Sequence, residues 1–98
     1  MQVVEEYGLG TKSVQIIRLP LKRVLSVQMQ DRKPCLWALV DPEAPNVLLT
    51  IRIAGTGTQD DYDYATLRYI GTTWCRGQAQ HWFYERPCKG NGVCHTGT

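Results

Sequence analysis

The sequence has no apolar run approaching the roughly 20 residues of a membrane-spanning helix, which excludes a helical membrane anchor as an expectation. It also has little excess charge. Its 11 basic and 9 acidic residues leave +2, spread along the chain, so the sequence-independent pull toward polyanions is weak and no duplex nucleic acid is expected as a partner. The opening segment lacks the positive charge and following apolar stretch of a secretory leader. Met1 to Glu6 carries two glutamates there, and the expectation is a cytosolic protein. Four cysteines occur without regular disulfide spacing: Cys35 lies inside an apolar run and Cys75 stands before a glycine turn, which predicts reduced thiols.

Helical periodicity is missing too, and what replaces it is alternation with a period of two, broken by turn residues at all-β intervals. A hydrophobic fraction of 43% against 20% charged is enough to fold. At 98 residues there is room for one domain, read as 1–87, with a glycine- and cysteine-containing flexible tail at 88–98. A domain of this size buries only about 60 to 70 per cent of its unfolded surface, so it gains from covering more apolar area and a homo-oligomer is expected.

The strands follow from the pattern. Gln2 to Tyr7 reads as a weak first strand. Ser13 to Leu19 puts Val14 and Ile16 on one face and then slips in phase at Ile17, which predicts a bulge, and Pro20 ends it. Val24 to Gln30 sends Leu25, Val27 and Met29 one way and Ser26, Gln28 and Gln30 the other. After a polar break at Asp31 to Pro34, Cys35 to Val40 is apolar throughout; the pair reads as a hairpin whose second strand, with Trp37, is covered on both faces. Further strands are read at Val47 to Ala54, Thr66 to Thr72 and Gln78 to Glu85, the last with Ala79, His81 and Phe83 on one face and Gln80, Trp82 and Tyr84 on the other. About seven strands predict a small antiparallel β-sandwich or a partly open barrel.

The run Val24-Leu25-Ser26-Val27-Gln28, then Pro34 to Pro42, then Gly55-Thr56-Gly57, with Tyr69-Ile70-Gly71-Thr72 and His81-Trp82-Phe83, resembles a family of short bacteriophage and prophage proteins classed as a domain of unknown function. The likeness spans roughly residues 13 to 86, and the segment after Pro87 departs from it. The resemblance implies a phage setting, the cytoplasm of an infected bacterial host, and a small β fold. It brings no catalytic residue, cofactor or substrate.

Function therefore has to come from side-chain chemistry. Gly55-Thr56-Gly57-Thr58 offers amides and hydroxyls to an anion, although it lacks the Gly-Lys-Ser/Thr ending of a P-loop and serves equally as a turn. Arg52 and Arg68 offer forked donors to phosphate, and Tyr69, Trp74, Trp82 or Tyr84 a flat surface for a base; the ordinary alternative is solvated arginines and aromatics filling a core. The ligand-binding set expected is Arg52, Thr56, Gly57, Thr58, Arg68, Tyr69 and Trp82. Asp60, Asp61 and Asp63 lack the spacing of a calcium loop. Cys88, Cys94 and His95 lack zinc-knuckle spacing, so neither metal nor cofactor is expected. No nucleophile beside a base and no paired carboxylates stand out, and His81 between Gln80 and Trp82 reads as structural, so the protein is not expected to be an enzyme. With the phage setting that the resemblance implies, these residues favour a counter-defence protein that sequesters a small (cyclic) nucleotide immune signal without cleaving it. The alternatives are a virion or host-protein-binding module and, behind both, an enzyme acting on nucleotides.

Overall fold

The computed structural model describes residues 1–57 and 59–85, together with the backbone of the short strand Cys88–Lys89. Seven strands form the body: β1 (Val3–Gly8), β2 (Val14–Leu19), β3 (Leu21–Gln30), β4 (Lys33–Val40), β5 (Val47–Gly55), β6 (Arg68–Cys75) and β7 (Gln78–Tyr84); β8 (Cys88–Lys89) follows. The first sheet has the order β1-β4-β3 and the second β2-β5-β7-β6, with β8 beside Val47 and Leu48 of β5. Every pairing is antiparallel and the sheets do not close into a barrel, so the all-β fold expected from the alternation, a sandwich or partly open barrel, is what the chain forms. No helix among the described residues is long and apolar enough to cross a membrane.

The core lies between the sheets. Leu36, Ala38 and Val40 of β4 and Val27 of β3 meet Leu19 of β2, Leu49 and Ile51 of β5 and Trp82 of β7, all buried. Burying a Leu, Ile or Val side chain contributes about 1.5 to 3 kcal/mol, so this set is the main source of stability. Pro20, between β2 and β3, marks the passage from one sheet to the other, and its carbonyl accepts from Asp41 N at 3.0 Å where β4 ends.

Two hairpins use the tightest connection. Asp31 and Arg32 at φ of 51° and 65° join β3 to β4, and Arg76 and Gly77 at 51° and 77° join β6 to β7. Two left-handed residues in succession match the right-handed twist of the flanking strands, which is why so short a loop is possible.

The structure corrects three local expectations. β2 pairs with β5 in unbroken register, with no bulge at Ile17; Gln15, Ile17 and Leu19 face inward while Val14 and Ile16 are exposed. The cause is Gln15, whose amide accepts from Gly10 N at 2.7 Å and donates to the carbonyls of Gly10 and Lys12, so a polar residue takes an inner position with its needs met. In β3 the register shifts between Val24 and Ser26, and Leu25 is left 43% exposed instead of sharing the face of Val27. In β4, Leu36, Ala38 and Val40 are covered, but Trp37 and Leu39 on the other face are only half-buried.

Candidate functional site

The second sheet turns one face away from the core, and strand alternation sorts side chains onto it. Register aligns Arg52, Phe83 and Tyr69 in one row across β5, β7 and β6, and Ala54, His81 and Thr72 in the next. Trp74 stands opposite Ala79 in a third row, toward Thr56 just past the end of β5. Rows two residues apart are separated by about 7 Å along a strand, so the three span about 14 Å.

The first row is covered by the segment that follows β5. The Arg52 guanidinium lies 3.7 Å from the centre of the Tyr62 ring, and its Nε donates to Glu85 Oε1 at 3.1 Å. The Tyr62 hydroxyl donates to the same carboxylate oxygen. Tyr64 packs on Phe83 with ring centres 5.2 Å apart, and Tyr69 meets Phe83 edge-on from the other side at 5.6 Å. Such aromatic pairs add about 0.5 to 1.5 kcal/mol beyond their burial.

Charge settles accordingly. Burial opposes the Arg52 charge, but the hydrogen bond to Glu85 and its negative neighbourhood outweigh it and hold the group above its ordinary value. The Glu85 carboxylate pushes the Tyr62 phenol up, and Asp60 does the same to Tyr64. Asp60 is held below the usual carboxylate range by the Tyr62 amide and then by the Tyr64 hydroxyl.

The second row is a chain of polar contacts. Thr56 Oγ1 lies 2.7 Å from His81 Nε2, and Thr72 Oγ1 lies 3.0 Å from His81 Nδ1. The Thr72 and Tyr69 hydroxyls share a further hydrogen bond. Simple alternation would put Thr72 on the opposite face from Tyr69; the register shift between Tyr69 and Gly71 returns it to the same side. Thr56 beside His81 is a hydroxyl beside a base, but the far ring nitrogen meets a neutral hydroxyl, where a catalytic triad has a carboxylate to stabilise the imidazolium.

The third row opens into a cleft of about 400 Å³ lined by Gly55, Thr56, Trp74, Gly77, Gln78 and Ala79. Its width follows from side-chain size: Ala79 and the two glycines leave space beside Trp74, whose indole is 67% exposed. Gly57, at φ of 76°, turns the chain just beyond Thr56.

The sequence-derived set is thereby divided. Arg52, Thr56 and Tyr69 belong to the outer face, Gly57 adjoins it, and Thr58 lies outside the described residues. Arg68 stands opposite Tyr84 and Arg52 opposite Phe83; these are consecutive residues of β7, so the two arginines lie on opposite faces and cannot grip one phosphate together. Trp82 is 0% exposed in the core, its Nε1 donating to Thr73 Oγ1 at 2.8 Å, so its ring offers no surface to a ligand. Sequence reasoning missed Thr72, Gln78 and the place of His81; Trp74 carried a signal as an aromatic opposite small residues.

Asp60 and Asp63 accept from the amides of Tyr62 and Ala65, so their oxygens close local turns. Among the described residues no three His, Cys, Asp or Glu side chains converge. Cys94 and His95, and the side chain of Cys88, lie outside the described residues. Cys35, buried, and Cys75, exposed, are free thiols.

No curated protein and no solved structure matches the chain. A family model does match, and it reaches further than the motifs at 13 to 86: it takes in β1 at one end and passes Pro87 at the other. Covering residues 1–91, with both sheets and the whole aromatic face, that match shows that the chain belongs to the family described as Domain of unknown function (DUF7352).

Proposed function

We propose that this protein binds a small nucleotide signal in the Thr56–Trp74 cleft and holds it without cleaving it, as a phage-encoded counter-defence protein in the cytoplasm of an infected bacterial host. The observation that carries the reading is an indole 67% exposed beside a 400 Å³ cleft with glycine backbone and hydroxyl donors. Ligand sites begin at about 300 Å³, and base stacking on an aromatic contributes about 1 to 3 kcal/mol without demanding a particular base. In this reading Trp74 stacks on the base, and Thr56 and Gln78 hydrogen-bond its edge. The phosphate lies toward Arg76 in the adjoining turn, since Arg52 is already engaged by Glu85 and Tyr62. The phage setting rests on the sequence resemblance.

Calorimetry against a panel of cyclic and linear dinucleotides and adenosine-ribose signals tests this, followed by heating the complex and identifying what is released. The expected result is binding, intact ligand, and a tenfold to hundredfold loss in Trp74→Ala, as about 1 to 3 kcal/mol requires. An altered nucleotide would transfer the case to an enzyme using Thr56 and His81. Absence of heat from the whole panel would leave a second reading, a host-protein-binding or virion module, which is favoured by the exposed Val4 beside half-buried Trp37 and Leu39 on the first sheet.

A further inference from the structure

Two open sheets have four edges, and an unprotected edge presents unpaired amides and carbonyls to any other strand. Three of the four are protected in recognisable ways. β1 carries Glu5 and Glu6. β3 has two register shifts along with Lys22 and Arg23. β6 is bent by a register shift beside Gly71, where an ideal Cβ would lie 3.7 Å from the Val27 carbonyl of β3, so these two edges adjoin each other.

β2 has the least of such protection. Its six residues keep unbroken register with β5, contain no proline or glycine, and carry a single charge at Arg18. Val14 and Ile16 are 43% and 65% exposed. The strand is also fixed at its entrance, because the three hydrogen bonds of the Gln15 amide hold the turn from Gly10 to Lys12.

Which backbone groups of β2 are free follows from one bond. Ile53 N donates to the Ser13 carbonyl at 2.9 Å, so the residues that exchange hydrogen bonds with β5 are the odd-numbered ones. Val14, Ile16 and Arg18 therefore point their N–H and C=O groups outward. This set is symmetric about Ile16. A second β2 brought up antiparallel about a two-fold axis pairs Ile16 with Ile16 and Val14 with Arg18, and every outward group on both strands finds a partner.

We propose that β2 is a self-association edge, through which two copies of the chain join antiparallel about Ile16 into one continuous sheet. Side chains agree with the backbone. Ile16 meets its own copy on the outer face, and Val14 meets the aliphatic stem of Arg18. The two Arg18 groups lie at opposite ends of the pairing, four residues or about 14 Å apart, beyond the screening length of about 8 to 10 Å in ordinary salt. The same construction at β1 is self-defeating. Leu9 N donates to the Pro34 carbonyl, so its outward residues are Val4, Glu6 and Gly8, and a two-fold pairing there sets Glu6 against Glu6. The proposal is independent of the nucleotide reading, since no residue of β2 lines the cleft.

Sedimentation equilibrium over a range of micromolar concentrations, with hydrogen exchange on the unmodified chain, tests it. The expected mass rises toward twice 11.1 kDa, with slow exchange at the amides of Val14, Ile16 and Arg18 and fast exchange at Val4, Glu6 and Gly8. Ile16→Pro removes one outward amide without touching the ladder to β5, and Ile16→Lys sets like charges against each other; both are expected to sediment as single chains with unchanged circular dichroism. A single-chain mass throughout, a dimer whose Val14, Ile16 and Arg18 amides exchange fast, or a dimer that persists in both variants would overturn the proposal. Should either variant unfold, the exchange pattern of the unmodified chain decides.

Discussion

Glu85 is the residue on which the first row of the outer face depends, because one carboxylate oxygen serves both Arg52 and Tyr62. Its charge favours the protonated phenol, so the contribution of Tyr62 to stability is complete below the ordinary tyrosine value of 10.0 and is lost as pH rises through the raised one. Asp60 works in the opposite sense: its contribution is complete above 3.8 and is lost as pH falls through its depressed value. Glu85→Gln is expected to return Tyr62 toward ordinary tyrosine behaviour, read as an earlier rise of tyrosinate absorbance in an alkaline titration. An unchanged curve would mean that the Glu85 contact is not maintained in solution. The two tryptophans on successive layers separate by burial in a similar way. Trp82→Ala is expected to cost about 3 to 5 kcal/mol in denaturant melts, since it empties a core position and strips the Thr73 hydroxyl of its donor. Trp37→Ala, on a half-covered face, is expected to cost about 1 to 2 kcal/mol.

Among the elements, the β6–β7 hairpin holds the cleft open and uses an arginine where the backbone is left-handed. Asparagine tolerates that conformation better than a long side chain does, and Asn-Gly is the preferred pair for such a turn. Arg76→Asn is expected to stabilise the fold by about 0.5 to 1 kcal/mol in urea melts while weakening any ligand that uses the arginine. All seven strands were legible in the chain because alternation and turn residues are local signals. The direction in which β2 faces was not, because apolar Val14 and Ile16 outweigh Gln15 by hydropathy, and only the turn at Gly10 to Lys12 explains how a glutamine is satisfied on the inner side. Register shifts at Leu25 and Ile70 hid two further positions for a related reason: a shift of one residue is invisible until the partner strand is known. The candidate site was legible only in part. Arg52, Thr56 and Tyr69 stood out by residue type, whereas separating Arg68 and Trp82 from them required knowing which face of β7 each one met.

At the scale of the whole molecule, the chain passes repeatedly between the sheets: β1 waits for β4, β2 waits for β5, and the second sheet is not complete until most of the chain is available. Pairings so distant in sequence must close large loops before they are rewarded. Refolding is accordingly expected in milliseconds to seconds, not microseconds, by stopped-flow tryptophan fluorescence. A microsecond phase carrying the full amplitude would contradict this topology. The same arrangement leaves β1 and β2 as outer edges of different sheets, one carrying two glutamates and the other a single arginine.

The polar row through His81 governs what the Thr56 hydroxyl can offer at the cleft. Thr56, Thr72 and Tyr69 each donate one proton and also accept, and an imidazole with a single ring proton donates through one nitrogen and accepts through the other. The row therefore has two polarities. With the proton on Nε2, hydrogen bonds run from Tyr69 toward the cleft, and the Thr56 hydroxyl is left to donate to an occupant. With the proton on Nδ1 they run the other way, and Thr56 presents a lone pair while Tyr69 donates to solvent. An occupant that accepts from Thr56 and one that donates to it would thus select opposite tautomers of His81, distinguishable by the nitrogen chemical shifts of its ring, and the choice would be transmitted to the Tyr69 phenol two strand spacings away without any backbone movement.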